Sequence, residues 1–357
     1  MNIGIVGGGI NGLCCAWELA KNKHQVTLYE RDHIMQATSS ASSKLLHGGI
    51  RYLENWQFRL VRESLHERDA WLIIAPSLAK PLPVIYPKYQ QSKRSRFKLN
   101  LGFGLYNLLS GHSPMPPSKW LNPQEVQTKI PGLQTKALQG GYLYYDAQMD
   151  DYQLGQWVAE QCKDLGVQIH EQTPVQSVTV EGTLTFANNS NKKKFDRILN
   201  ITGPWAEQLL IKSNIASKHH LDLIRGSHMV IDTPCSHALI LEVPNETRIF
   251  FVLPWYNKTL IGTTETRQKL DEPIACSDTE KQYLIKAYNH YFNTKLTDSD
   301  TIETFAGIRP LLNTNTNPGK ASREYAIQKN KNLITVFGGK WTTSRALARK
   351  VTKMISS

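Results

Sequence analysis

Apolar and polar positions change period along the chain in an order that reads, at its start, as strand, helix, strand. Residues 3–6 are a short continuous apolar run of the kind that fills a buried strand. After Gly7-Gly8-Gly9-Ile10-Asn11-Gly12, apolar residues return at helical spacing through Leu13, Ala16, Trp17 and Ala20. Residues 26–30 form a second strand that ends in an acid. Residues 56–75 put Phe58, Val61, Leu65 and Leu72 on one helical face, a Pro-punctuated strand (PLPVIYP) opens at Lys80, and residues 151–165 are helical again before a short strand at 167–169. A meander over 175–180, 183–187 and 197–201 ends at Thr202-Gly203-Pro204-Trp205. Four β-rich runs, 227–233, 238–243, 249–255 and 259–264, have the short breaks of an antiparallel sheet. Residues 283–292 read as helix, and the chain closes with a strand at 334–337, a Gly338-Gly339 turn and a basic helix from Thr342 or Thr343. This order predicts an α/β nucleotide domain assembled from residues 1–80, 145–225 and 300–357. A substrate domain over 81–144 and 226–299 carries the inserted antiparallel sheet.

The spacing of Gly7, Gly9 and Gly12 is G-x-G-x-x-G, placed between a strand and a helix. The first glycine permits a tight turn, the second lets backbone approach a pyrophosphate, and the third allows close helix packing. The helix N-terminus offers its amides to the phosphates. Glu30 follows near the ~20-residue distance at which an acid binds a ribose hydroxyl. Together these parts predict dinucleotide binding. Residues 37–49 (ATSSASSKLLHGG) hold too many turn formers for a core helix, and their hydroxyls and amides suit the wrapping of a polar cofactor.

Composition narrows the class. The 357 residues are 40% hydrophobic and 20% charged, ordinary globular values that argue against wholesale disorder. No apolar run approaches the ~18 residues needed to cross a bilayer, and the start shows no secretory signal, so the cytoplasm is the expected compartment. The five cysteines are scattered without zinc or redox spacing and read as small core residues; no metal site is expected. The net charge of +12 is concentrated in residues 88–120 and 325–357, both free of acids. Such surfaces point to an anionic ligand, an anionic membrane or nucleic acid. The basic stretches lack a recognisable nucleic-acid module, which places nucleic acid last among these. Residues 97–109 interleave with Lys93, Arg94, Arg96 and Lys98, a mixture suited to the headgroup layer of a membrane and, through it, to a quinone acceptor.

The fingerprint alone does not separate NAD from FAD enzymes. The meander leading to a Thr-Gly turn, with a closing strand and helix, is similar to the glutathione-reductase type of FAD fold, and a second glycine motif for NAD is lacking. The segments GGGINGLCCAWELA, ATSSASSKLLHGGIRYLE, FRLVRESLHERDAWLIIAP, ITGPWAEQ, IRGSHMVI, FVLPW, IGTTE, GIRPL, SREYAI and FGGKWTTSRALA resemble, in order, the flavin-dependent glycerol-3-phosphate dehydrogenases of the D-amino-acid-oxidase-like superfamily. The chain reads as a short form of that family, whose members typically continue into a further helical domain. The resemblance implies FAD, held non-covalently, and oxidation of sn-glycerol 3-phosphate or a close phosphorylated alcohol to the ketone.

It also implies roles for particular residues. Beside Gly7, Gly9, Gly12 and Glu30, cofactor contacts are expected from Ile10, Asn11 and Arg31. The hydroxyl-rich loop adds Thr38, Ser39, Ser42, Ser43, Lys44, Leu45, His47, Gly48 and Gly49. Val175, Thr202, Gly203, Trp205 and Gly307 follow, and Gly338, Gly339, Lys340, Trp341 and Thr342 close the set. Arg309, in a G-x-R-P turn, is expected to face the substrate anion and to act in catalysis, and Arg323 and Lys340 complete a pocket for a dianion. Arg51 and Tyr52 resemble substrate-contacting positions. His47 and His228 are the candidates for the base that takes the hydroxyl proton. The alternative within the superfamily is an amine, amino-acid or 2-hydroxy-acid oxidase, which would need one anion site rather than several cations. A basic flavoprotein that binds nucleic acid is the alternative outside it.

Overall fold

The structure, a computed structural model, describes residues 1–187, 191–313 and 325–356. Strands β1 (Asn2–Val6) and β2 (Gln25–Tyr29) pair in parallel, with helix α1 (Ile10–Lys21) between them in the chain. They belong to a six-stranded sheet ordered Ala326–Asn330, Leu333–Phe337, Arg197–Asn200, β1, β2, Gln168–His170, so the start, middle and end of the chain share one sheet. α1 packs against helices Asp151–Asp164 and Ser344–Ser356. Ile3, Ile5, Leu13, Leu28, Val336 and Val351 fill the interior they form, and Trp17 meets Trp157 edge to face at 5.6 Å. Cys14, Cys15 and Cys162 are free and buried, as small core residues.

One strand moved. The pattern assigns residues 197–201 to the meander, whereas Arg197–Asn200 lies between β1 and Leu333–Phe337 as a parallel strand with Ile198, Leu199 and Asn200 buried. The third meander strand is Lys192–Lys194, paired with Thr183–Phe186 at an exposed edge. Three lysines carry no apolar signal, and charged edge strands of this kind resist pairing with other chains.

The second sheet has ten strands and draws on two stretches of the chain. Ala79–Tyr89 and Leu138–Met149 pair antiparallel along their length. Leu221–Ile231, Ala238–Glu242, Ile249–Trp255, Lys258–Gly262 and Thr301–Leu312 supply most of the rest. The four predicted β runs are present, but Ala238–Glu242 runs parallel to Ala79–Tyr89 and joins the two halves. Side chains alternate between two cores, as strand geometry demands. Ile85, Leu239 and Leu241 pack with Leu284 and Tyr288 of helix Asp278–Tyr291, while Val84, Tyr86 and Ile240 share a core with α2 (Phe58–Ile74) and α3 (Arg96–Ser110).

α3 begins where the Ser95 hydroxyl accepts the Lys98 amide at 3.2 Å. Leu99, Phe103 and Tyr106 form its buried stripe, and Phe103 stacks on Tyr142 with centroids 4.3 Å apart. The opposite side leaves Phe97 78%, Leu101 55% and Leu108 75% exposed. Arg94 does not join the neighbouring cations on this surface. Its guanidinium donates to Glu54 at 2.7 and 2.8 Å and to Glu242 at 3.0 Å, an internal network that removes it from any role toward lipid. Among the described residues no helix is long and apolar enough to cross a membrane.

Candidate active site

A cleft of about 1910 Å³ is lined by residues of both sheets. Its first end is the turn between β1 and α1. Gly7 has φ of +112°, its amide donates to the Tyr29 carbonyl at 2.9 Å, and a Cβ there would lie 2.4 Å from the Ile201 carbonyl oxygen. A Cβ on Gly12 would fall 2.0 Å from the Gly7 carbonyl oxygen, so only glycine lets α1 sit this close to the turn. No acid occupies the first turn of α1, and no side chain caps it through Gly9, which leaves the positive helix end suited to an anion. The Ile10 amide donates to Ser39 Oγ at 3.0 Å. Glu30 accepts the Gly8 amide at 2.7 Å and the Asp32 amide at 3.1 Å, so its carboxylate also braces the glycine turn. Arg31 lies 4.0 Å over the Trp205 ring.

The hydroxyl-rich loop is held largely by its own side chains. Thr38 Oγ1 donates to the Ile308 carbonyl at 2.9 Å, and Ser42 Oγ donates to Asp151 at 2.7 Å. Lys44 Nζ donates to Asp151 at 2.6 Å and to the Ser40 carbonyl at 2.7 Å, a buried ion pair that anchors the loop to helix Asp151–Asp164. From the C-terminal side, Trp341 Nε1 donates to the Ser39 carbonyl at 2.8 Å, and Thr342 Oγ1 accepts the His47 amide at 3.2 Å. Gly48 turns the other way. Its amide donates to Asp146 at 3.0 Å and to Tyr106 Oη at 3.1 Å, inside a buried cluster that includes Arg68.

The second end gathers side chains from distant strands. Lys340 Nζ sits 3.9 Å over the Tyr52 ring, and the His47 and Tyr52 rings are 6.2 Å apart. His228 is buried, stacks on Phe305 at 4.8 Å, and its Nε2 is 2.8 Å from Ser43 Oγ. The strand register puts it opposite Gly262, where a Cβ would lie 2.2 Å from the imidazole. Burial first, then the charges of Arg309 and Lys44, lower its pKa to about 3, so the imidazole is neutral near pH 7. Arg309 Nη2 donates to the Thr264 carbonyl at 2.6 Å, and its Nη1 lies 3.7 Å from Glu265.

The expected cofactor residues line this one cleft except Gly12, which packs α1 against the turn as its place in the motif implies, and Gly48, whose amide faces Asp146 and Tyr106. Arg51, Tyr52, His47, His228, Arg309 and Lys340 line it as well. Arg323 lies outside the described residues. The sequence reading missed Arg248 and Glu265; Lys93 and Lys98, read as membrane-facing cations, also border the cleft. Glu265 stood in the quoted IGTTE segment, but nothing in one dimension shows what it faces.

Residues 2–354 match the family described as FAD dependent oxidoreductase. The chain is 35% identical to D-erythritol 1-phosphate dehydrogenase of Brucella abortus over 97% of its own length and 72% of that protein. It is 32% identical to a glycerol-3-phosphate dehydrogenase of Synechocystis, covering 97% of this chain and 68% of the other. Among solved structures, the glycerol-3-phosphate dehydrogenase of Bacillus halodurans complexed with FAD superposes with a TM-score of 0.78 at 22% identity. That likeness covers 100% of this chain and 64% of the other.

Proposed function

The chain belongs to the FAD-dependent oxidoreductases, and from that premise we propose that it oxidises a small phosphorylated polyol, sn-glycerol 3-phosphate first among them, at the secondary hydroxyl. The observation that supports this reading is that Arg51, Arg248, Arg309 and Lys340 all line the one cleft, with Arg309 and Arg248 meeting at Glu265. A phosphate monoester brings close to two negative charges, whereas the carboxylate of an amino acid or hydroxy acid brings one. Erythritol phosphate presents the same anion on a longer chain and is the second substrate to test.

The glycine turn, the acid-free start of α1, Glu30 and the 37–49 loop fit FAD, which when bound supplies the acceptor for two electrons and the carbon-bound hydrogen. Arg309 and Lys340, with Arg323 beyond the described residues, hold the phosphate. His228 takes the hydroxyl proton by way of Ser43, whose Oγ lies 2.8 Å from Nε2 of the neutral imidazole and passes the proton on to it. A phosphate seated on Arg309 offsets one of the charges that make His228 a weak base, so the substrate itself raises its proton affinity. His47 lies in the same cleft and is the second candidate.

We place the electron acceptor, a quinone, at an anionic membrane on the cytoplasmic face. Phe97, Leu101 and Leu108 are exposed on α3, and Lys93, Arg96 and Lys98 are exposed near its start. Each cation near an anionic leaflet contributes about 1 kcal/mol, and Lys98, which lies 3.0 Å from Glu54, contributes only when that pair opens, so the exposed apolar side chains must add to the binding. Co-sedimentation with anionic vesicles at low salt tests this part, and no binding removes it. The central test is anaerobic titration of the purified flavoprotein with sn-glycerol 3-phosphate, erythritol phosphate and glycerol. The phosphate esters are expected to bleach the flavin at concentrations where glycerol does not. Equal bleaching by glycerol rejects the reading.

A further inference from the structure

Arg309 reaches the cleft from strand Thr301–Leu312, where it stands opposite Ile224 of the neighbouring strand. Its guanidinium crosses Gly226 so closely that a Cβ there would lie 2.6 Å from Nη2. A planar guanidinium recognises an anion only when its fork faces the right way, so what holds its edges decides what it binds. Two groups on one short turn do that here. The Thr264 carbonyl accepts from Nη2 at 2.6 Å, and Glu265 Oε1 lies 3.7 Å from Nη1. The other oxygen of Glu265 lies 3.4 Å from Arg248 Nε, and Arg248 in turn approaches Glu246 at 3.8 Å.

The turn is itself fixed from behind. Thr264 Oγ1 donates to Glu280 at 2.6 Å and accepts the Ser227 amide at 2.9 Å. Glu280 is ion-paired with Arg225 at 2.7 Å and closes the capping box with Ser277 at the start of helix Asp278–Tyr291. Contacts therefore run from a helix of the second core, through the turn, to a guanidinium in the cleft.

We propose that Glu265 is a positioning residue for Arg309: it orients the guanidinium toward a tetrahedral oxyanion and, by sharing its carboxylate with Arg248, keeps two cations from becoming a general anion trap. The proposal rests on the reading of this cleft as a polyol-phosphate site and adds how that site chooses its anion. Arg309 and Arg248 with Glu265 and Glu246 sum to no net charge. Without the Glu265 carboxylate the same space gains a net positive charge, attractive to any anion and specific for none.

Binding alone tests this, with the visible spectrum of the flavin as reporter and inorganic phosphate and bromide as probes. In Glu265→Gln, bromide is expected to bind more tightly because a negative charge has gone. Phosphate gains less because the fork is no longer aimed, so the phosphate-to-bromide preference falls about fivefold or more. Turnover with the substrate falls in the same variant, through kcat more than KM. Glu265→Asp keeps the charge and shortens the reach. It is expected to leave bromide binding unchanged and to weaken phosphate, and it stands in if the glutamine variant fails to fold. An unchanged or widened preference in the folded variants overturns the proposal, whatever happens to turnover. Failure of every polyol phosphate to bleach the wild-type flavin instead defeats the functional reading, while the anion preference still decides the role of Glu265.

Discussion

The two ends of the cleft are made of different material. At the cofactor end the decisive features are backbone: the left-handed Gly7, the 2.0 Å approach that Gly12 permits, and the acid-free start of α1. At the substrate end they are side chains from separate strands, each held by another side chain or carbonyl, such as Arg309 by Thr264 and Glu265, and His228 by Ser43. The first end is compact in sequence and reads from spacing. The second exists only after strands and loops distant in the chain come together, 45 residues apart for Arg309 and Thr264 and 185 for Ser43 and His228, so its chemistry depends on partners rather than on motifs.

If that division is right, the largest effects come from adding atoms at the first end. Gly12→Ala drives a methyl group into the Gly7 carbonyl, with no flexible side chain to yield. Overpacking of this kind costs about 1–3 kcal/mol and occasionally more. The variant is expected to purify with little FAD, seen as a collapse of the ratio of flavin to protein absorbance. Retention of full FAD would show that α1 can shift without harm, and the backbone argument would fail.

Arg309→Ala comes next and acts at the other end. A charge-assisted hydrogen bond contributes about 1.5–3 kcal/mol, so affinity for the phosphorylated substrate should fall by about tenfold to a hundredfold with FAD content unchanged. Anaerobic titration measures both in one sample. Loss of FAD together with substrate affinity would mean that the two ends are not separable.

A third test uses acidity. His228 is depressed to about 3 in the fold against an ordinary value of 6.5, so between those values the unfolded chain holds the extra proton. Stability contributed by the neutral imidazole is therefore present above pH 6.5 and is lost as pH falls toward 3. From pH 7 to pH 5 the loss is about 2 kcal/mol. Glu54 and Glu280, each lowered to about 2 by their hydrogen-bonded partners against the opposing effect of burial, act in the same direction only below their ordinary value of 4.5. Denaturant midpoints at pH 7 and pH 5 should thus separate less in His228→Gln than in the wild type. The same pH sensitivity in both would place the effect elsewhere.

These contrasts also explain what was legible. The βαβ unit was readable because its glycines keep a fixed spacing between a strand and a helix, although Gly7 also closes on Ile201, and the 37–49 loop because hydroxyls cluster there. Gly48 reads from the sequence as one more loop glycine, yet its amide is committed to Asp146 and Tyr106, from a strand and a helix that no local pattern connects to it. Arg94 was counted as a surface cation because its partners, Glu54 and Glu242, lie far off in the chain. Arg248 and Glu265 escaped notice for the same reason. Residues 192–194 were unreadable as a strand because their pairing is backbone alone, with no apolar face to reveal it.

The smallest effect sharpens the comparison most, because Glu30 is a side chain that braces the glycine turn itself. Its carboxylate accepts the Gly8 amide at 2.7 Å and the Asp32 amide at 3.1 Å, so it steadies the turn in addition to any bond it makes to a ribose hydroxyl. Glu30→Gln keeps an oxygen for one of these amides and loses the charge that strengthens both. Hydrogen bonds to charged groups exceed neutral ones by about 1 kcal/mol, and 1.4 kcal/mol corresponds to a factor of ten. FAD affinity should therefore fall by about fivefold to tenfold, measured by fluorescence titration of the deflavinated protein. A loss as complete as that expected for Gly12→Ala would mean that a side chain governs this end as fully as the backbone does, and the distinction between the two ends would disappear. No change at all would leave the glycine turn self-sufficient, with Glu30 a brace that the fold does not need.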